Sequence, residues 1–408
     1  MPGRGVDAVM PSPCPRELRE GFCKDAFDYA RLAEQKQKRR FADTKKKVSA
    51  RDVLGEVAKV IERFEPHARV INLETSVTKK SSFYPHKGIN YRASEENMFA
   101  LLDVLKPDIV SLANNHAMDF SREGMEDTLK FFDSIEGSSD NASLGLRVKR
   151  IGAGWNIADA MKPAVLENVY PYGFAPARND KRGVDVAAFG LCFEDSGVPR
   201  EWQSTERSMG VFLATEDDKV PERLLSAIAK MKKESSNNAI VVVSVHFGSN
   251  WGFDVPRSHV TAAKALVDAG ADIVHGHSSH HAKTAMLYKK KLILFGCGEF
   301  FNDYEGIRPH PGFPETSYLG HLRLLYFVDV DAKTHNFSKL EIVLMRQKMF
   351  ALTTLENPRE EAEQFLATLR QQYAFGHLKL QLKGDGTTLI AWPDDAVRLR
   401  RRSDDDEL

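Results

Sequence analysis

Four histidines fall within seven residues at His275-Gly276-His277-Ser278-Ser279-His280-His281, after the apolar run Ala271-Asp272-Ile273-Val274, in a chain with thirteen histidines. Imidazole nitrogens at a strand end suit zinc, manganese, iron, nickel or copper, whereas calcium and magnesium ask for oxygen. A solvated loop would carry the same cluster without binding anything, so its partners decide between the two. Other apolar runs end in comparable groups: Asn72 with Glu74; Asn114, Asn115 and His116 with Asp119; His246; and Glu299 after Gly296-Cys297-Gly298. Carboxylate, amide oxygen and imidazole together are the donor set of a hydrolytic two-metal centre, whose ions, about 3.5 to 4 Å apart, clamp an anionic substrate and activate water. His116, beside Asn115, is placed to protonate a leaving group. One histidine after a strand is ordinarily a packed or rim residue. Donors at five separate strand ends resist that explanation.

Such residues need a scaffold in which several strands end on one side. Apolar runs at Arg69 to Glu74, Asp108 to Ala113, Ala239 to His246, Ala271 to His277 and Leu292 to Gly296 read as strands. Helical patterns at Val53 to Phe64, around Leu101, Leu102 and Leu105, and at Ser258 to Ala269 alternate with them. This is α/β grammar, in which ligands bind at the carboxyl ends of the strands. After about Leu344 the pattern changes to a helix (Arg359 to Tyr373) and two strands (His377 to Leu382, Thr388 to Trp392). We therefore expect a main domain over residues 1–340 and a C-terminal α+β appendage over 341–408. Residues 31–51 form a charged insertion, read as an exposed helix and loop or as a polyanion patch. Gly-, Ser- and Asn-rich or Pro-rich loops are expected at 134–148 and 170–183.

With 57 basic and 57 acidic residues, net charge offers no reason to expect nucleic acid. The four cysteines (Cys14, Cys23, Cys192, Cys297) have no C-x-x-C spacing and read as free thiols of a reducing compartment or as incidental core residues. No run reaches the length of a membrane span, and the first residues lack a signal-peptide core, which points to the cytoplasm. The ending Asp404-Asp405-Asp406-Glu407-Leu408 lacks the leading Lys or His of a retention signal and reads as a frayed acidic end. Gly152-Ala153-Gly154 is too short for a dinucleotide loop, having neither a third glycine nor a ribose-binding acid about twenty residues on.

Taken in order, Asn72-Leu73-Glu74, Leu112-Ala113-Asn114-Asn115-His116-Ala117-Met118-Asp119, Ile151-Gly152-Ala153-Gly154, His246-Phe247-Gly248 and Asp268-Ala269-Gly270-Ala271-Asp272-Ile273-Val274-His275-Gly276-His277 resemble the CapA family, the capsule or poly-γ-glutamate synthesis proteins. The resemblance spans roughly residues 1 to 330. It implies a calcineurin-like metallophosphoesterase fold, a four-layer α-β-β-α sandwich with two divalent ions (Mn, Fe or Zn) at the strand ends. Carried over residue by residue, Glu74 matches the bridging carboxylate, Asn115 a metal ligand, His116 the adjacent acid, and His246, His277 and His280 the remaining ligands. His275 and His281 match no ligand position and are left to support, substrate contact or simple exposure.

The departures count as well. Gly276-His277-Ser278-Ser279-His280 lacks the middle histidine of the family's Gly-His-His-Pro-His, and His246-Phe247-Gly248-Ser249-Asn250-Trp251 lacks the Glu often found after its His-x-Gly. Glu299 replaces a common Asn and is either an extra anionic ligand or a structural residue. The family's first motif, a strand ending Gly-Asp-Val-Met before a Gly-Arg-Gly-Val-Asp loop, is met only from Met1 onward. The first strand and its Asp are therefore expected upstream of this sequence. The resulting expectation is a metal-dependent hydrolase of a phosphoester or related anionic bond, acting on a small molecule or polymer. The alternative is a non-catalytic accessory protein that binds polyanion during polymer synthesis or export.

Overall fold

The computed structural model describes residues 1–408 except 42–46, 138–145, 147, 171–182, 216–218, 236–238, 308–317, 374–376 and 395–408. Lys45 and Lys46 of the charged insertion, most of the two expected loops and the acidic end lie outside the described residues. The chain opens with α1 (Arg4–Val9), α2 (Ala26–Gln37) and α3 (Ala50–Phe64). A capping box starts α3: the Ser49 side chain accepts from Asp52 N, and the Asp52 carboxylate accepts from Ser49 N.

Three short parallel strands follow, β1 (Val70–Asn72), β2 (Ile109–Ser111) and β3 (Lys149–Ile151), in the order β1-β2-β3, with α4 (Glu95–Leu105) and α5 (Ser121–Gly137) between them. A second, seven-stranded sheet contains β4 (Ala164–Val169), β5 (Val184–Phe193), β6 (Leu213–Ala214), β7 (Ala239–His246), β8 (Ile273–His277), β9 (Ala285–Tyr288) and β10 (Lys291–Leu294). Its order is β6-β5-β7-β8-β10-β9, with β4 on β5. The centre is parallel and its strands are nearly continuous apolar runs, as strands buried on both faces must be.

Alternation along each strand sets what each face meets. On β7, Val241, Val243 and Val245 pack with residues of α6 (Glu222–Glu234) and α7 (Arg257–Ala269), including Leu224, Ile228 and Leu266. Val242 faces the other way, onto a cluster with Ile109, Ile151 and Ala188 that joins the two sheets. In that cluster's neighbourhood backbone meets backbone. A Cβ on Gly190 would lie 2.7 Å from Gly152 Cα and 2.8 Å from Gly152 N, and Gly152 itself adopts φ +78°. Gly154 backs onto Ala160 N, 2.4 Å from where its Cβ would stand. The Gly-x-Gly pair thus serves close packing.

A third, antiparallel sheet has β11 (Leu322–Val330), β12 (Phe337–Lys348), β13 (Ala351–Thr353), β14 (Leu378–Leu382) and β15 (Thr388–Pro393), in the order β11-β12-β15-β14 with β13 on β12. Strand β12 runs through position 340. Its Ile342 and Leu344 pack against α8 (Pro358–Tyr373), while Val343 and Met345 pack among α1, α2 and α3. Among the described residues no helix is long and apolar enough to cross a membrane. Cys14, Cys23, Cys192 and Cys297 are all free.

Gly190→Ala tests the contact between the sheets. The added methyl meets backbone and cannot rotate away, so stability should fall by about 1–3 kcal/mol. A midpoint of thermal or denaturant unfolding equal to that of the unsubstituted protein would refute it.

Candidate functional site

Strands β7 and β8 run side by side with Ser244 opposite His275 and His246 opposite His277. All four side chains therefore stand on the face turned toward the first sheet. They form one hydrogen-bonded ladder: His275 Nδ1 lies 3.1 Å from Ser244 Oγ, which lies 2.8 Å from His277 Nε2. His277 Nδ1 lies 2.7 Å from His246 Nδ1, and His246 Nε2 lies 3.2 Å from Asn115 Oδ1.

The ends of β1 and β2 supply the opposing groups. Asn114 Nδ2 donates to Asn72 Oδ1 (3.0 Å) and Leu73 O (2.9 Å), and Asn72 Nδ2 donates to Glu74 Oε2 at 3.1 Å. This relay of amides aims the Glu74 carboxylate, whose Oε1 lies 3.9 Å from His246 Nε2. His116 Nδ1 lies 2.7 Å from Asp119 Oδ2, an oxygen that also accepts from Tyr91 N at 2.6 Å. The Tyr91 ring meets the His116 ring edge-on, 4.5 Å between centroids. On the remaining side His280 Nδ1 pairs with Glu299, both buried.

Burial governs the protonation of this cluster. It holds His246 and His277 well below the usual imidazole range and pushes His116 and His275 to about 4. The Glu74 carboxyl is raised, again by burial. Burial also opposes charge on His280 and Glu299, yet their attraction overrides it, raising His280 and lowering Glu299. His246, His277 and His275 are therefore neutral near pH 7, with one proton and one lone pair each. Asn115 Oδ1 accepts only, which sets the order: His275 donates to Ser244, Ser244 to His277, His277 to His246, and His246 to Asn115.

Of the expected site residues, Glu74, Asn115 and His246 meet at one point, with His116 adjoining Asn115. His277 spends both nitrogens on Ser244 and His246, and His280 is engaged by Glu299. Neutral imidazole, amide oxygen and carboxylate match a divalent ion in chemistry. Their present arrangement does not enclose one: among the described residues no three His, Cys, Asp or Glu side chains form a group that could hold a metal ion. His281 lies apart from the ladder, packed against Phe253 and Tyr318.

Several supporting residues carry no local sequence signal. Arg4 is buried between the Tyr29 and Tyr91 rings, 3.9 and 4.0 Å from their centroids, and bonds Asp303 and Glu20. Asp195 accepts from Gly248 N at 3.0 Å and pairs with His259 Nε2 at 2.5 Å, tying down the turn after His246. Lys87 donates to Asn115 O and lies 2.9 Å from Asp119 Oδ1. Glycines on both sides of Arg4 were the one available hint: a Cβ on Gly5 would meet Tyr29 Cβ at 2.6 Å.

Comparison with known proteins agrees with this pattern of motifs. Residues 1–304 match the family model for the bacterial capsule synthesis protein PGA_cap. A probable polyglutamine synthesis accessory protein of Mycobacterium tuberculosis is 34% identical over 346 residues, 85% of this chain and 82% of the relative. The capsule biosynthesis protein CapA of Bacillus anthracis is 30% identical over 228 residues, 55% of this chain and 47% of its own. The PGA biosynthesis protein CapA of Bacillus subtilis is 30% identical over 233 residues, covering 57% and 52% respectively.

The bonds around Asp119 yield an ordering of stabilities. Asp119→Ala strands two buried donors, Tyr91 N–H and the His116 ring N–H, and should cost about 2–4 kcal/mol. His116→Ala removes its own donor along with the ring and should cost less. Urea unfolding of both variants measures this, and the reverse order would refute it.

Proposed function

The chain belongs to the bacterial capsule synthesis protein PGA_cap family, and from that premise we propose that it hydrolyses a phosphoester or related anionic bond during synthesis of a capsule or poly-glutamate polymer. The observation that carries this reading is the meeting of Glu74, Asn115 and His246 at one point, with His116 held beside it by Asp119. A four-layer metallophosphatase-like sandwich is the scaffold that the reading requires. Its support is the apolar cluster joining the first two sheets, with α4 and α5 packed by one and α6 and α7 by the other.

Two divalent ions (Mn, Fe or Zn) at the strand ends would supply Lewis acidity toward the anionic group and lower the pKa of water. Glu74, Asn115, His246, His277 and His280 are the residues that would hold them. For His246 Nε2 to hold an ion, the neutral ring would have to carry its proton on Nδ1 and let go of Asn115, which reverses the donor order of the ladder with no net loss of a proton. His116 serves as the group that hands a proton to the leaving atom. Because the Asp119 carboxylate accepts from Nδ1–H and burial keeps the ring neutral, Nε2 carries a lone pair at rest, so it must first take a proton from the attacking water and then pass it to the leaving atom. Glu299 holds His280 in a fixed orientation, as a carboxylate behind an imidazole does.

A second reading has one observation in its favour. His277 has both nitrogens committed within the ladder, which suits an accessory protein that binds polyanion without turning it over. The Mycobacterium tuberculosis relative is named a probable polyglutamine synthesis accessory protein.

Elemental analysis with a panel of phosphomonoesters, phosphodiesters and γ-glutamyl amides separates the two. The hydrolase reading expects two equivalents of metal, removal of which by chelation abolishes turnover. It also expects a His116→Ala variant that keeps its metal and loses about 10²–10⁴-fold in rate. Protein free of metal and inert across the panel would leave the accessory reading.

A further inference from the structure

Three carboxylates, Glu74, Glu299 and Asp119, stand in or against the cluster, so an anion entering it meets repulsion that some cation must offset. Most cations nearby are spent. Arg4 is fully buried and divided among Asp303, Glu20, Tyr29 and Tyr91. Arg323, 3% exposed, serves Gln347, Asn302 and two backbone carbonyls.

Lys87 is engaged as well, but it is partly exposed and keeps one N–H uncommitted. Its side chain is 16% exposed and runs over the Trp202 ring, 5.1 Å from the centroid. One N–H goes to Asn115 O, and the ammonium faces Asp119 Oδ1, so the cation touches the residues on both sides of His116. Asp119 Oδ1 is buried, and the Lys87 ammonium 2.9 Å away is its counter-charge. With three N–H groups on an ammonium, one remains for a ligand. The positive charge is felt at Glu74, His116 and His246, in the middle of the cluster.

We infer that Lys87 is the specificity residue through which this site takes hold of an oxyanion, a phosphoryl or carboxylate group of the substrate, beside His116. The inference rests on the proposed function in either of its two readings, since both require an anionic ligand. It needs no turnover, so failure of hydrolysis leaves it standing.

The test is calorimetric titration of the unsubstituted protein, Lys87→Met and Lys87→Arg with inorganic phosphate and, separately, glutarate at low ionic strength, with thermal unfolding in parallel. Lys87→Met should lose at least about tenfold in affinity, about 1.4 kcal/mol, whereas Lys87→Arg should stay within about threefold. A loss confined to phosphate assigns a phosphoryl group; one confined to glutarate assigns a carboxylate. The inference is overturned if the unsubstituted protein binds neither anion or if Lys87→Met binds both unchanged. It is also overturned if Met and Arg variants lose affinity and melting temperature together, which would make Lys87 a clamp on the Asn115 turn.

Discussion

The candidate site depends on two sheets touching backbone to backbone at Gly152 and Gly190. Its donors come from both sheets: Glu74 and Asn115 from the strand ends of the first, His246 and His277 from the second. No single sheet could gather them, because strands within one sheet are spaced about 4.8 Å apart and packed sheets ordinarily about 10 Å. Glycine at both contact points lets the sheets approach more closely than side chains would permit. His246 consequently comes within 3.2 Å of Asn115 and 3.9 Å of Glu74.

Within that junction the polar groups are arranged for definition more than for stability. A buried hydrogen-bond chain contributes little net free energy, since its members were solvated before folding, but each unmet donor is costly. The ladder from His275 to Asn115 therefore admits one proton order, and its acceptor end is the Asn115 amide. The Asn114–Asn72–Glu74 relay applies the same logic across the first sheet, where amides orient a carboxylate whose charge burial disfavours. Two relays from opposite directions end at one point.

Much of this was legible in the chain, and the reason differs by element. Strand β7 matches its expected span Ala239 to His246, because an unbroken Val run closed by a polar residue has few other solutions. The expected strand Arg69 to Glu74 is observed as Val70–Asn72, since Glu74 leaves the ladder to face the cluster. The register of His246 against His277 was not legible: two histidines in separate strands carry no mark of which rows they share. Nor were the Arg4 enclosure, the Asp195–His259 pair or Lys87, whose partners lie far along the chain and impose no period on the sequence between.

Arg4 has a kinetic side. Its bonds to Asp303 join residues 299 positions apart. Contacts of that separation raise contact order, and the entropy of closing so long a loop must be met before the contact returns anything. Strands within each sheet pair over shorter separations, so docking of α1 against the segment after Glu299 is expected late in folding. During synthesis at about 5–20 residues per second the aromatic enclosure around Arg4 stays open until Asp303 has left the ribosome. For that interval the rings of Tyr29 and Tyr91 lack the guanidinium that lies between them in the folded chain.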